Sequence, residues 1–206
     1  MWNGTYTALI TPFKPSGDID FFALERLIHR QIEGSVSGLV LLGSTGEASL
    51  LEVKERLEVV ECAADLSKDT FPLIVGISSP STQESLEFGD AALRVGADAL
   101  MSTPPYYVKP TFAGIKAHFS ALSELGAPLM VYNHPGRTGI DLSSHELEQL
   151  ARIESVEVIK DSSSSFKSVG IPVLCGDDIV TREAVLEGGY VGSVSVIANA
   201  YPLEWS

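Results

Sequence analysis

A lysine ends one of the most apolar stretches of the chain, Val156–Asp161, where a charged side chain is unusual. If this stretch is a buried strand, the amine of Lys160 either extends to solvent along its apolar stem or is held away from water. Loss of hydration lowers the pKa of an amine, and a neutral amine attacks carbonyl carbons to form a Schiff base. Both interpretations stay open for Lys160 taken alone.

Hydroxyl and cationic side chains directly follow other apolar stretches. The segment Gly43–Glu47 sets the hydroxyls of Ser44 and Thr45 between two glycines, which let backbone N–H groups approach an anion closely. It is not a phosphate-binding P-loop, because the Gly-Lys-Ser/Thr ending is missing. Tyr132 ends another apolar run, and Arg137 lies in the glycine-flanked turn after it. The alternatives are a polar helix cap for the Gly43–Glu47 segment and a solvated surface turn for Arg137. If these residues and Lys160 all lie at the same edge of one sheet, a functional role is favoured over both alternatives.

These residues would all lie at the same edge of one sheet if the apolar runs are parallel strands. Eight runs rich in Val, Ile and Leu alternate with amphipathic segments, a pattern typical of strands that are buried on both faces and separated by helices. The predicted strands are Thr5–Pro12, Gly38–Gly43, Leu73–Ile77, Ala99–Pro104, Leu129–Asn133, Val156–Asp161, Val173–Gly176 and Val191–Ile197, and the better-defined helices are Asp20–Glu33, Glu52–Leu66, Gln83–Val95, Phe112–Leu125 and Ser143–Ala151. The alternation predicts a parallel sheet, closed or open. Eight units favour a (β/α)8 barrel, whose active site is built at the carboxyl ends of the strands.

Two places depart from a regular barrel. Only residues 162–172 join the sixth and seventh predicted strands, which is too short for a full crossover helix. Nine residues follow the last strand, so the C-terminal helical region is expected to be truncated. We predict a single domain over residues 1–206 in which unevenly covered strands expose apolar surface and favour association.

Composition narrows the classes of partner. Fourteen basic residues against 27 acidic ones give a net charge of −13, which argues against nucleic acid and anionic membrane surfaces. No apolar run approaches the roughly 20 residues needed to cross a bilayer, and the N-terminus does not resemble a secretory signal, so a cytoplasmic location is expected. Two cysteines are too few for a disulfide framework, and the four scattered histidines do not suggest a metal site.

Several short motifs follow one another along the chain from Gly4 to about Pro202. They are Ala8–Phe13, Gly43–Glu47, Tyr106-Tyr107, Tyr132-Asn133, Pro135–Gly139, Ile159-Lys160 and Gly176–Asp178. Together they resemble the dihydrodipicolinate synthase and N-acetylneuraminate lyase family of pyruvate-dependent class I aldolases. The specificity lies in the order of the motifs over nearly the whole chain, since no motif is specific alone.

The resemblance implies a barrel in which Lys160 condenses with pyruvate to form an imine, without a metal or an organic cofactor. Tyr132 is expected to relay protons to and from that imine. Its partners in a hydroxyl chain would be Ser44 and a Tyr107 supplied by a neighbouring subunit. The resemblance therefore also implies a homo-oligomer.

The same resemblance assigns residues that hold the substrates. The backbone around Ser44 and Thr45 would hold the pyruvate carboxylate, and carbonyls near Gly176 and Val194 would line the site. Arg137 occupies the place of the arginine that binds the carboxylate of aspartate semialdehyde in the synthase branch, which serves lysine and diaminopimelate biosynthesis. A guanidinium suits this role because it binds a carboxylate through two parallel hydrogen bonds.

Three activities stay open within this resemblance. Arg137 favours the synthase branch, which condenses pyruvate with aspartate semialdehyde. The Gly-Ser-Thr-Gly-Glu wording around Ser44 is that of the lyase branch, which cleaves 2-keto sugar acids. A catalytically idle pyruvate-binding relative is the third, since a chain short of helices could fail to assemble the Tyr107 relay.

The resemblance also bears on regulation by lysine, because lysine-sensitive synthases carry an allosteric pocket at the subunit interface. Tyr106 and Glu84 match that pocket. Val53, Arg56 and Pro80 replace the polar or histidine residues expected there. We therefore expect lysine to inhibit this chain weakly or not at all.

Overall fold

Eight parallel strands close into a barrel in the computed structural model, which describes residues 2–68, 70–163 and 165–206. The strands are β1 (Gly4–Ala8), β2 (Gly38–Leu41), β3 (Leu73–Gly76), β4 (Ala99–Ser102), β5 (Leu129–Asn133), β6 (Val156–Asp161), β7 (Val173–Cys175) and β8 (Gly192–Ser195). Each strand pairs with the next, and β8 returns to β1 with Ser193 opposite Thr5. The (β/α)8 barrel predicted from the alternation is confirmed.

Helices follow most strands and cover the outside of the barrel. They are α1 (Phe21–Glu33), α2 (Val53–Ser67), α3 (Thr82–Arg94), α4 (Phe112–Ser123), α5 (Pro135–Thr138), α6 (Ser144–Leu150), α7 (Thr181–Leu186) and α8 (Pro202–Trp205), with 3-10 turns at Ala48–Leu50 and Ile197–Asn199. Ser143 and Glu146, at the start of the predicted helix Ser143–Ala151, form a capping box in which each side chain accepts a hydrogen bond from the backbone N–H of the other. No helix among the described residues is long and apolar enough to span a bilayer.

Two apolar layers result from the alternation of side chains along the strands. Ile159 of β6 points outward into the layer between barrel and helices, whereas Val158 points into the barrel interior. Tyr132 of β5 belongs to the same interior cluster, whose members lie toward the carboxyl ends as well as the middle of the strands. Lys160, two residues after Val158, therefore also faces inward.

Several predicted strands were too long, and β1 shows why. The run was expected to continue to Pro12, but the strand ends at Ala8. Leu9 still donates a hydrogen bond to Val40, whereas the backbone N–H of Ile10 donates to the side-chain oxygen of Asn199. The apolar run is thus longer than the strand, because beyond Leu9 the backbone bonds to a distant polar side chain and no longer to the neighbouring strand.

The connection between β6 and β7 contains no helix among its described residues, as predicted, and a polar network lies there instead. Asp161 accepts hydrogen bonds from the Ser163 hydroxyl at 2.8 Å and the Tyr190 hydroxyl at 2.7 Å. Tyr190 in turn accepts from the backbone N–H of Lys167, whose amine lies 3.4 Å from a carboxylate oxygen of Asp141. The network fastens the short connection to the barrel. Ser164, one of four consecutive serines at 162–165, lies outside the described residues.

Apolar side chains are uncovered near α7 and α8. Ile179, Leu186 and Leu203 are 92%, 66% and 70% exposed. Both helices are short, with six and four residues. The exposure expected from uneven helical cover is therefore present at this end of the chain.

Candidate active site

Lys160 is buried at the carboxyl end of β6 with its amine against an aromatic ring. The residue is 5% exposed, and its Nζ lies 4.0 Å from the ring centroid of Tyr132. Burial lowers the pKa of the amine from 10.5 to about 7, and the nearby carboxylate of Asp178 opposes this shift only in part. Near pH 7 the Lys160 amine is therefore neutral and nucleophilic in a substantial fraction of molecules. An amine that extended to solvent along its apolar stem would stay charged at this pH.

Tyr132 faces Lys160 because the two residues are paired across β5 and β6. Burial raises the pKa of its phenol, and the hydroxyl groups of Ser162 and Ser44 and the guanidinium of Arg137 act in the opposite direction. The hydroxyl of Ser162 is close to this phenol, but the two groups are not aligned for a hydrogen bond, and the Ser162 hydroxyl has no other partner among the described residues. A phenol with this surrounding stays protonated at neutral pH and is able to donate or exchange a proton.

A cavity of about 200 Å³ opens at the carboxyl ends of the strands. Ser44, Tyr132 and Arg137 lie in its wall, together with Thr103 and Tyr106. Three residues predicted from separate motifs thus meet around one space. The amine of Lys160 reaches this region through its contact with the ring of Tyr132 rather than as part of the described cavity wall.

The loop Gly43–Glu47 is held in a tight turn above β2. Thr11 donates a 2.7 Å hydrogen bond from its hydroxyl to the carbonyl of Gly46, and Glu47 adopts a left-handed conformation with φ of 56°. A 3-10 turn, Ala48–Leu50, follows the loop and precedes α2. Ser44 is exposed and Thr45 is half-buried, so the loop presents both hydroxyl-bearing residues at the barrel rim.

Gly176 directly follows β7, and Val194 lies on β8. A methyl group on the Cα of Gly176 would collide with the hydroxyl of Ser162 and lie 2.9 Å from Cε of Lys160, so glycine leaves the room that the lysine stem occupies. Val194 is 1% exposed in the interior cluster. Both positions surround the barrel mouth in which Lys160 lies.

Tyr107 and Arg137 are exposed, as Ser44 is. Tyr107 is 88% exposed and has a φ of 68°, an uncommon conformation for an aromatic residue. Its side chain does not line the cavity formed by the described residues of this chain. Arg137 lies on α5, a short helix closed by Gly139 with a positive φ of 69°, and its side chain is solvent-exposed beside the cavity.

The described residues contain no group of three side chains able to hold a metal ion. His118 is buried, and its ring nitrogens lie within hydrogen-bonding distance of Thr82 and Ser102. Burial lowers its pKa to about 4, so the ring is neutral and structural. Cys62 and Cys175 are both free thiols.

Comparison with known proteins identifies the family to which this chain belongs. A sequence model of the dihydrodipicolinate synthetase family matches residues 1–205. The chain belongs to this family. The 4-hydroxy-tetrahydrodipicolinate synthase of Salinibacter ruber is 39% identical over 213 residues, which cover 98% of this chain and 70% of the relative. The corresponding enzyme of Sorangium cellulosum is 39% identical over 216 residues, covering 99% and 71%.

Solved structures of dihydrodipicolinate synthases agree with this family assignment. The chloride-inhibited dihydrodipicolinate synthase from Acinetobacter baumannii, solved with pyruvate, is 35% identical and superposes with a TM-score of 0.95. The match covers 100% of this chain and 74% of that chain. As a dihydrodipicolinate synthetase family member, the protein is an enzyme of the Schiff-base-forming lyase type.

Sequence reasoning overlooked one residue at the centre of this family site. Ser162 follows Lys160 by two positions, and its hydroxyl is buried beside Gly176 and close to Tyr132. The signal was available, because Ser162 lies two positions after Lys160 and directly follows the carboxyl end of β6, where the barrel mouth is. It was missed because a run of four serines is typical of a loop.

Proposed function

We propose that this family member is a 4-hydroxy-tetrahydrodipicolinate synthase that condenses pyruvate with aspartate semialdehyde. The supporting observation is the buried amine of Lys160, held 4.0 Å from the ring centroid of Tyr132 with a pKa near 7. A neutral amine in this setting adds to the carbonyl carbon of a keto acid, and loss of water leaves an iminium ion.

The iminium then activates the methyl group of pyruvate. Loss of one methyl proton gives an enamine, whose carbon attacks the aldehyde carbon of the second substrate. Tyr132 exchanges these protons, with Ser44 as its neighbour at the cavity wall. The hydroxyls and backbone N–H groups of the Ser44–Thr45 turn hold the pyruvate carboxylate, and carbonyls near Gly176 and Val194 complete the lining.

Arg137 supplies the contact that distinguishes the second substrate. Its guanidinium lies in the wall of the cavity that contains Tyr132 and Ser44, and the cavity is otherwise without a cationic side chain among its described lining residues. A carboxylate on the incoming aldehyde pairs with it through charge-assisted hydrogen bonds. The exposed Tyr107 completes the hydroxyl chain of a second subunit in a homo-oligomer.

Reductive trapping tests the proposal. Incubation with pyruvate and borohydride is expected to add a reduced pyruvyl group to the intact mass of the parent chain. Lys160→Ala should lose the adduct, whereas Lys116→Ala, which removes an exposed lysine on α4, should keep it. Condensation is then measured with aspartate semialdehyde. A parent chain that forms no adduct would refute the proposal and support the idle pyruvate-binding relative.

A second function within the family is cleavage of a 2-keto sugar acid. The serine at position 44, in the Gly-Ser-Thr-Gly-Glu turn, supports it, since this turn lines the cavity. The two activities separate by product. Pyruvate release from sugar acids, without condensation with aspartate semialdehyde, would favour the lyase.

A further inference from the structure

The hydroxyl of Ser162 is buried and has no hydrogen-bond partner among the described residues. Its position is well defined, because the backbone N–H of Ser162 donates a 2.9 Å hydrogen bond to the carbonyl of Asn133. The next strand holds the same segment through the N–H of Gly176, which donates to the carbonyl of Asp161 at 2.8 Å. An ordered backbone therefore presents an unsatisfied hydroxyl.

This hydroxyl lies among the groups that would react. Ser162 lies two residues after Lys160, directly beyond the carboxyl end of β6. The hydroxyl of Ser162 and Cε of Lys160 both border the empty space above the Cα of Gly176. The phenol of Tyr132 is near enough for Ser162 to influence its pKa. The stem of Lys160, the phenol of Tyr132 and the hydroxyl of Ser162 thus lie close together, and none of the described residues forms a hydrogen bond with the serine hydroxyl.

Buried hydroxyls without partners are uncommon in folded proteins because each one loses its hydration without compensation. Such a group at a reacting centre is accounted for when a ligand or intermediate supplies the missing partner. Addition of the Lys160 amine to a keto acid produces a tetrahedral carbon that carries a new hydroxyl group. That oxygen forms within reach of a group placed beside Cε of Lys160.

Building on the proposed function, we propose that Ser162 is a catalytic hydroxyl that donates a hydrogen bond to the C2 oxygen of the adduct between Lys160 and a 2-keto acid and passes protons from Tyr132 to it. The amine forms a C–N bond at C2, and the carbonyl double bond becomes a single bond to oxygen. Tyr132 supplies one proton, which it recovers from solvent, and the neutral amine gives up one of its two protons. Both reach this oxygen and leave with it as water, and the other amine proton stays on the iminium nitrogen. Ser162 donates one proton for each that it receives, so it ends unchanged.

The chain contains a matched control for this proposal. Ser85 on α3 is buried, and its hydroxyl likewise lacks a partner among the described residues, but it lies in the helical layer outside the barrel. Ser162→Ala and Ser85→Ala therefore each remove a buried hydroxyl without a partner, one beside Lys160 and one away from it. The experiment mixes each protein with pyruvate, quenches with borohydride at successive times and follows the intact mass. Thermal denaturation is recorded for all three proteins.

Ser162→Ala is expected to slow adduct formation roughly tenfold to a hundredfold, since a positioned proton donor contributes at least this much to such steps. Its melting temperature should equal or exceed that of the parent, because the variant loses an unsatisfied hydroxyl. Ser85→Ala should form the adduct at the parental rate. Unchanged kinetics in Ser162→Ala, or a lowered melting temperature that reveals a structural partner, would overturn the inference while the parent adduct still supported the proposed function. A parent without any adduct would overturn both.

Discussion

Asn133 donates a 2.7 Å hydrogen bond from its side-chain nitrogen to a carboxylate oxygen of Asp161. The two residues are paired across β5 and β6, one position beyond the pair formed by Tyr132 and Lys160. A bond between the outward-facing side chains thus secures the register in which the inward-facing phenol and amine oppose each other. The chemistry inside the barrel depends on a polar contact outside it.

The hydroxyl of Tyr190 is the member of this outer network whose loss is easiest to measure. It donates to Asp161 and accepts from the backbone N–H of Lys167, so Tyr190→Phe leaves both groups short of a partner. We expect the free energy of unfolding to fall by about 1–3 kcal/mol. Urea denaturation measures the change. Tyr201→Phe, at a residue that is 59% exposed, should change stability by less than about 0.5 kcal/mol. Equal effects of both substitutions would contradict the role of the network.

Replacing Lys160 by methionine should stabilise the fold while it removes the reactive amine. Burial lowers the folded-state pKa from 10.5 to about 7, so between these values the unfolded chain binds an additional proton. The stability of the parent therefore rises with pH across this window, and the cost of the buried charge is complete below pH 7. We expect Lys160→Met to raise the free energy of unfolding by roughly 2–5 kcal/mol at the acidic end of the window.

The pH dependence distinguishes this electrostatic gain from better packing. The advantage of Lys160→Met should shrink as the pH rises from about 7 toward 10.5, because the parent then folds with a neutral lysine without a protonation cost. Denaturation curves at a series of pH values test this, with the exposed Lys116→Met as control. A gain that is independent of pH would point to packing alone.

The rate of imine formation should follow the neutral fraction of Lys160. Because the folded-state pKa is about 7, the rate of borohydride-trapped adduct is expected to rise with pH up to a midpoint near that value and then level off. An ordinary exposed lysine would continue to gain reactivity up to its pKa of 10.5. Rates measured at fixed pyruvate from mildly acidic to alkaline pH check this. A profile that still rises steeply above pH 9 would show that the amine is hydrated.

Arg137→Ala should affect the second substrate more than the first. Loss of a charge-assisted hydrogen bond to the aldehyde carboxylate is worth about 1.5–3 kcal/mol, so the KM for aspartate semialdehyde should rise by roughly tenfold or more. Adduct formation with pyruvate should persist. Steady-state kinetics with each substrate varied in turn give both values. Arg152→Ala, which removes an exposed arginine after α6, is the control for net charge.

Lysine is expected to be a weak inhibitor or none. Val53, Arg56, Pro80, Glu84 and Tyr106 line a single cavity of about 440 Å³ next to the candidate active site, which agrees with their expected grouping. The guanidinium of Arg56 lies 5.4 Å from the ring centroid of Phe88 and adds a positive charge where a lysine amine would have to bind. Condensation rates at increasing lysine concentrations test this, and inhibition at sub-millimolar lysine would contradict it.

Much of the architecture was readable from local pattern. Runs of Val, Ile and Leu predicted eight buried strands, and the serine and glutamate of the α6 capping box predicted a helix start, because both signals depend on near neighbours. The limits of β1 and β8 were not readable in this way. Ile10 bonds to the side chain of Asn199, and Asp178 accepts hydrogen bonds from Val196 and Ile197, so partners far along the chain decide where these strands end.

The sequence by itself determined which residue types the barrel could bring to its carboxyl rim: an amine at Lys160, a phenol at Tyr132 and a guanidinium at Arg137. Only the tertiary structure decided that the amine is shielded from water by a neighbouring ring, that the hydroxyl of Ser162 is buried without a partner among the described residues, and that Tyr107 is exposed. The physical reason is that hydration and hydrogen bonding depend on atoms contributed by other strands. Residue order sets strand periodicity, whereas the pKa of a lysine depends on the solvent and charges that surround it after folding.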